Sequence, residues 1–331
     1  MSPACTTAAP RAVADPVLVV GGSGFVGRAI VRELAQRNGE LREPRLRTLT
    51  SRRPPDGTCP RGVAHTVADL TDPASLRGTC AGVTTLVHAA AHVGRDPARS
   101  DAVNRAGTLA LLDEARRAGV RRVLYVSTAS VYGSGPHRGP AEGELTPAPE
   151  SAASATRLAA ERAVLDAGGI VLRPHLIVGP GDRWVVPTIA QVLGRVPDWP
   201  AAGAKSSLIG VEDLARLVAA LVAEEPRQER GDVLHAAHPA PVRTRDLVLA
   251  VARLLGLPAP RGTLTLPEHR ERLARELPAL SGHQYALLTR DHWYDSARIW
   301  RRTRLEPGPG PLEKLGAYAG WNGEPRGRGA G

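Results

Sequence analysis

The stretch "VLVVGGSGFVGRAIV", Val17 to Val31, decides the fold. Val17–Val20 are four consecutive apolar β-formers, the pattern of a strand buried on both faces. Gly21, Gly24 and Gly27 follow at a spacing of three, and from Phe25 onward apolar residues recur at helical spacing. A strand turning directly into a helix needs glycine at the turn for its backbone angles. A second glycine lets an anionic group approach the main chain, and a third lets the helix pack on the sheet. The free amides of the helix N-terminus then face that anion. Glycine spacing alone is a weak signal, but with the strand before it and the helix after it the turn predicts a dinucleotide pyrophosphate site. Its residues are Gly21, Ser23, Gly24, Phe25, Val26 and Gly27.

Downstream, short apolar runs alternate with helical patterns. Strands are predicted in "LRTLTS", "GVAHTVADL", "TTLVHAAA", "RRVLYVSTAS", "GIVLRPHLIVG" and "GDVLHAAH". Helices are predicted in the segment after the glycine turn, closed by Gly39, in "DAVNRAGTLALLDEARRAG" and in "ESAASATRLAAERAVLDAG". This alternation predicts an α/β fold, a Rossmann-type doubly wound parallel sheet of about seven strands. After Gly179 the pattern loosens into Pro-, Gly- and Trp-bearing segments around two amphipathic helices, "VEDLARLVAALVAEE" and "TRDLVLAVARLLG". The expected organisation is a nucleotide-binding domain at 16–180 and 205–236, with a smaller discontinuous substrate domain at 181–204 and 237–321. Residues 1–15 and 322–331 are expected to be mobile tails.

The end of the second strand bears on the cofactor. An acid there would hold a ribose 2′-hydroxyl, whereas "TSRRPP" offers Ser51, Arg52 and Arg53. Guanidinium groups pair with a 2′-phosphate through charge-assisted bonds, so the expected cofactor is NADPH/NADP.

The 331 residues carry a formal charge of +10, almost all from arginine, since Lys205 and Lys314 are the only lysines. The arginines are interleaved with acids, as in "RNGELREPRLR", and no zinc finger or RNA-type aromatic signature appears, so no nucleic-acid partner is expected. Cys5, Cys59 and Cys80 have neither disulfide nor metal-ligand spacing. The opening residues lack the basic-then-apolar order of a signal peptide, and no apolar run approaches the ~20 residues of a membrane span. A cytoplasmic monomer or homodimer acting on a small molecule, with no membrane partner, is the expectation.

With these motifs in place the chain resembles the extended short-chain dehydrogenase/reductase family, over about residues 16–320. "GGSGFVG" matches its glycine pattern, and "ADL" the segment in which Asp69, beside Leu70, would contact adenine. "VHAAA", with Ala89, Ala90 and Ala91, resembles the fourth-strand motif beside the cofactor. Asn104 sits at the family's helix asparagine, and "VSTASVYG" resembles the segment carrying the catalytic Ser or Thr, here Thr128. "LRPHLIVGPGD" resembles the loop that would bring Pro174, His175 and Leu176 to the nicotinamide end.

The departure is "ASATRLAAE". The family carries YxxxK there, a tyrosine that transfers the substrate proton and a lysine that assists it and holds the nicotinamide ribose. This chain has Ala153 and Arg157, and no Tyr or Lys occurs from Gly133 to Ala204. Arg157 can replace the ribose contact but does not release a proton near neutrality. A positioned general acid or base is worth about 10²–10⁴ in rate. Holding reactants in attack geometry is worth about 7–11 kcal/mol, so hydride transfer survives the loss if the carbonyl is already activated. Oxidising a plain sugar alcohol needs the missing base. A ketone beside a phenol can be reduced with the phenol's own proton. The pattern thus resembles the atypical ketoreductases of angucycline-type antibiotic pathways, which implies an aromatic polyketide substrate. Two other readings stand beside it. One is a catalytically inactive NADPH-binding sensor or partner protein, and the other a sugar-nucleotide epimerase or dehydratase with an unrecognised base.

Further candidates are weaker. His88 and His92 lie at a strand end and share no helical face, so no metal site is expected. His92 and His175 are candidate substrate contacts, and Trp184 and Trp199 could stack on a flat ligand or fill a core. Tyr132 in "SVYG" reads as structural, with catalysis the lesser alternative.

Overall fold

The computed structural model describes residues 16–38, 45–52, 60–200, 203–224 and 231–318. The expected tails, Gly39, Cys5, Cys59 and Arg53 lie outside these described residues. In chain order the first half runs β1 (Val17–Val20), α1 (Phe25–Asn38), β2 (Leu46–Thr50), β3 (Val63–Val67) and β4 (Thr85–His88). It continues with α2 (Pro97–Ser100), a π-helical stretch Asp101–Ala106, α3 (Gly107–Arg117), β5 (Arg122–Val126), a 3₁₀ turn Ala129–Tyr132, β6 (His137–Arg138) and α4 (Ala152–Asp166). The second half runs β7 (Ile170–Arg173), β8 (Leu176–Val178), α5 (Val185–Arg195), β9 (Lys205–Ser206), β10 (Leu208–Gly210), α6 (Val211–Val222) and β11 (Asp232–His235). It closes with β12 (Val242–Arg243), α7 (Thr244–Leu254), α8 (Leu266–Glu276), α9 (Gly282–Thr289), β13 (His292–Trp293), α10 (Ala297–Thr303) and α11 (Pro311–Ala317).

The main sheet is the predicted seven-stranded one, ordered β3-β2-β1-β4-β5-β7-β11, and every pairing in it is parallel. Side chains alternate across it, so one strand feeds two cores. Val17 and Val19 face a core closed by α1 and α6 through Ile30, Leu34, Leu214 and Leu217. Leu18 and Val20 face the opposite core, closed by α3 and α4 through Leu111, Ala160 and Val164. Each such buried aliphatic side chain contributes roughly 1.5–3 kcal/mol. That accounts for the unbroken "VLVV": no face of β1 meets water.

The strand expected at "GIVLRPHLIVG" is two strands. β7 ends at Arg173, and β8 leaves the sheet to pair in parallel with β10. Pro174 has no amide to continue the ladder, which breaks the run at that residue. Leu176, Val178 and Leu208 turn into a third core, whereas Ile177 and Ile209 face the first. This third core belongs to a cap built from α5, α7, α8, α9 and α11, through Val192, Leu247, Leu273, Leu288 and Leu315. A small sheet, β12-β9-β13-β6, joins the two parts, because β6 comes from the loop after β5 and pairs with β13 of the cap.

Candidate active site

Strand order reverses between β1 and β4, which are neighbours in the sheet. A crevice opens outside the carboxyl ends of strands at such a switch point. Gly21 leaves β1 with φ +84, and a Cβ there would lie 2.7 Å from Ala90 N at the end of β4. A Cβ on Gly27 would lie 2.1 Å from Gly21 O, and Gly24 N donates to Gly21 O at 2.9 Å. The turn therefore exposes main chain where any side chain would collide, a cradle suited to a pyrophosphate. Ser23 is exposed and Phe25 half-buried near Gly181. Val26 packs its side chain on the first core, so only its main chain is left for the cradle.

Ser51 and Arg52 are exposed at the end of β2. The Arg52 carbonyl accepts the Thr50 hydroxyl at 2.6 Å, and its guanidinium has no acidic partner among the described residues. Asp69 Oδ1 accepts from the amide and hydroxyl of Thr71, both at 2.8 Å. These two bonds, the amide first, hold its carboxyl below the usual range and leave Oδ2 open. Leu70 is buried against Gly107, where a Cβ would be 2.7 Å away.

At the other end, Ala89, Ala90 and Ala91 are half-buried after β4. Asn104 clamps this loop. Its Oδ1 accepts His92 N at 2.7 Å, and its Nδ2 donates to His92 O at 2.9 Å and to Thr156 Oγ1 on α4 at 3.1 Å. It sits in the π-helical stretch, a local widening that recurs at functional sites. Thr128 is half-buried. Its Oγ1 accepts from Ser130 N at 3.1 Å, and its hydroxyl donates to Ser130 Oγ at 3.2 Å. Pro174 lies beside it, since Pro174 O accepts Ala129 N at 2.8 Å.

Two residues occupy the places of the missing tyrosine and lysine. Ala153 is half-buried in the first turn of α4. One turn later, Arg157 Nη2 donates to Val126 O at 2.9 Å, and its Nε is buried with no partner. The guanidinium is thus tied to the carboxyl end of β5, beside Tyr125, whose hydroxyl burial pushes up in pKa against the opposing charge of Arg157.

Leu176 corrects an expectation. Its side chain is in the cap core and its amide donates to Ser207 O at 3.3 Å, so the strand break at Pro174 turns it away from the cofactor end. Trp199 is also corrected: it is 2% exposed and meets His269 edge-on at 5.5 Å, a core residue of the cap rather than a platform for a ligand. Trp184 is half-buried against the same core. Tyr132 is structural. Its hydroxyl accepts Arg173 Nη1 at 2.7 Å and bonds His235 Nε2 at 2.8 Å, above the Arg173–Glu161 ion pair at 2.5 Å. His88 is buried with Nε2 2.9 Å from Thr108 Oγ1, whose own proton goes to Asn104 O, so His88 donates. Burial, helped by the Arg157 charge, pushes it down to about 3. His92 keeps a buried Nε2 without a partner, and both ring nitrogens of His175 are buried and unpaired. The His175 ring stacks on His292 at 5.2 Å. Among the described residues no group of His, Cys, Asp or Glu could hold a metal, and no helix is long and apolar enough to cross a membrane.

A bridge between the halves had no strong sequence signal. Ser134, after the 3₁₀ turn, bonds Glu150 before α4 and His283 on α9. One cue was available: Ser281 and Gln284 form a capping box that starts α9 and so fixes His283 in its first turn.

A model of the NAD dependent epimerase/dehydratase family matches residues 17–237. The 2-alkyl-3-oxoalkanoate reductase of Stenotrophomonas maltophilia is 31% identical over 53% of this chain and 54% of its own length. A putative dihydroflavonol 4-reductase of Synechocystis is 29% identical over 77% of each chain. The chain spans about half the length of the first curated relatives it matches, at 54% and 55%. The UDP-glucose 4-epimerase of Thermus thermophilus, solved with NAD, superposes with a TM-score of 0.70 at 23% identity, over 92% of this chain and 97% of that one.

Proposed function

Because this chain belongs to the NAD-dependent epimerase/dehydratase family of extended short-chain oxidoreductases, we propose that it is an NADPH-dependent ketoreductase acting on an aromatic polyketide ketone. The substrate would be of the angucyclinone kind that a simocyclinone-pathway ketoreductase handles. The observation that carries the reading is a complete cofactor frame around a vacated acid position. The glycine cradle is shaped for a pyrophosphate, Asn104 clamps the loop after β4, and Thr128 and Pro174 lie side by side at the end of β5. Ala153, half-buried in the first turn of α4, has no ring where the family has its phenol.

The residues fit a dinucleotide, since the cradle at Gly21 and Gly27 would be filled by any Cβ. Gly21–Gly27 would hold the pyrophosphate, Asp69 the adenine, and Arg52, with Ser51 beside it, a 2′-phosphate. When bound, NADPH supplies a hydride at its nicotinamide. Arg157, anchored on Val126 O, would hold the nicotinamide ribose in the role of the missing lysine. Thr128 can turn its proton from Ser130 to a substrate oxygen, which orients the carbonyl without protonating it. A phenol beside that carbonyl delivers the proton instead. The relatives named as reductases support a reductive direction. The lack of a side-chain base at position 153 weighs against starting from a sugar alcohol. NADPH absorbance followed with a polycyclic hydroxyketone, and product formation from a UDP- or dTDP-sugar with the oxidised cofactor, test the reading. Consumption with the ketone alone is expected. Turnover of the sugar nucleotide alone would replace the reading with an epimerase, and inertness toward both with an NADPH-binding partner protein.

A further inference from the structure

Reducing a ketone consumes one proton for each hydride. If a neighbouring phenol gives that proton up, a phenolate remains that must be reprotonated. One hydrogen-bonded relay joins the segment just before α4 to α9. Ser134 donates its only hydroxyl proton to Glu150 Oε2 at 2.6 Å, and Ser134 N donates to Glu150 Oε1 at 2.8 Å. These bonds keep the Glu150 carboxyl ionised, below its usual range. With its proton committed, Ser134 Oγ can only accept from His283 Nδ1 at 2.9 Å. Glu150 Oε2 lies 3.6 Å from that same nitrogen. The ring is therefore fixed with Nδ1 as donor, and Nε2 is its working nitrogen, a lone pair when neutral and a donor when charged. No partner for Nε2 is found among the described residues.

The relay is built from segments that adjoin the candidate site residues in the chain. Glu150 precedes Ala153 by three residues, just ahead of the Ser151 cap of α4. His283 comes from α9, whose Leu287, one turn on, brings its backbone near the His175 ring. His175 in turn follows Pro174, the neighbour of the Thr128 strand end. The titratable groups that interact with His283 are Glu150, His175 and His292; Arg270 lies by Gly282, Arg290 acts on Glu150, and His137 acts on His292.

Resting on the ketoreductase reading, we propose that His283, held by Ser134 and Glu150, is a catalytic residue that returns the proton to the substrate phenol. Hydride adds to the carbonyl carbon as the C=O π bond breaks, and the carbonyl oxygen takes the phenol proton. The resulting phenolate takes the Nε2 proton of the His283 imidazolium, and the neutral ring recovers a proton from solvent. The sum is one hydride and one proton for each alcohol formed.

The test uses 1,2-dihydroxyanthraquinone, a polycyclic phenol that changes colour on losing its first proton near neutrality, bound to the NADP-loaded protein. An imidazolium facing the phenol should lower the pH at which the bound dye ionises by about one unit or more relative to His283→Gln. Ser134→Ala, which keeps the ring but cuts the relay, should fall between. Unchanged NADP affinity checks that each variant is folded. Equal dye ionisation in wild type and His283→Gln, with hydroxyketone turnover intact, overturns the relay and leaves the ketoreductase reading standing. A wild type that neither binds the dye nor reduces hydroxyketones overturns both.

Discussion

On the proposed reading, Arg52 would separate two cofactors that differ by one phosphate. It is exposed at the end of β2, with no acidic partner among the described residues, so its charge is available to a ligand. A charge-assisted hydrogen bond is worth roughly 1.5–3 kcal/mol. Arg52→Ala should therefore weaken NADPH by about tenfold to a hundredfold and leave NADH nearly unchanged. Replacing Arg53 as well should deepen the loss. Titration of both cofactors checks this, and an equal loss for the two would remove the 2′-phosphate assignment. Thr128 and Arg157 differ in kind from Arg52, because each already has a protein partner, Ser130 and Val126 O. On the proposed reading they would position, whereas Arg52 would discriminate.

At the scale of elements, α4 is the helix from which the family's acid has gone. Ala153 and Arg157 lie four apart and share a face. Restoring the motif with Ala153→Tyr and Arg157→Lys should not accelerate the natural reaction, and should slow it if the new ring fills space the substrate uses. Single-turnover rates decide; a rise of about 10²-fold or more would mean that the site lacked only a general acid. The main sheet, its glycine turn and the helix pair α3 and α4 were legible in the sequence, because strands buried on both faces and helices with one apolar stripe leave strong periodic marks. The break at Pro174 was visible in principle, since proline cannot extend a ladder, yet the apolar run across it reads as one strand. The cap was far less legible. Its strands β6, β9, β12 and β13 are two residues long, and their pairing brings together segments distant in sequence, as with His137 opposite His292. Trp199 was left open between ligand platform and core, because a side chain's face within a cap depends on neighbours that local sequence does not name, and Leu176 was misplaced because the run across Pro174 reads as one strand. The Ser134–Glu150–His283 bridge likewise forms only once α9 docks.

For the whole molecule, the seam between nucleotide domain and cap is lined by imidazoles held neutral. Burial pushes His292 down to about 4, and lowers His137 and His175 as well. In the unfolded chain these rings titrate near the ordinary ~6.5. The unfolded state thus binds more protons below that pH. The stability these groups contribute is fully present above about pH 6.5 and is lost as pH falls toward the folded values. Thermal unfolding should therefore shift to lower temperature between about pH 6.5 and 4, and His292→Gln should lose less over that interval than wild type. Identical pH dependence of the two would remove His292 from the account. On the proposed reading the assembled molecule is a cofactor frame and a cap around a vacated acid position, and the substrate fills that vacancy chemically. The most direct measurement is the single-turnover reduction rate, with NADPH, of two polycyclic ketones of equal size, one with a phenol beside the carbonyl and one with that phenol methylated. A general acid is worth about 10²–10⁴ in rate, so the phenol should be reduced faster than its methyl ether by that factor. Comparable rates for the two would contradict the account and place the proton donor in the protein.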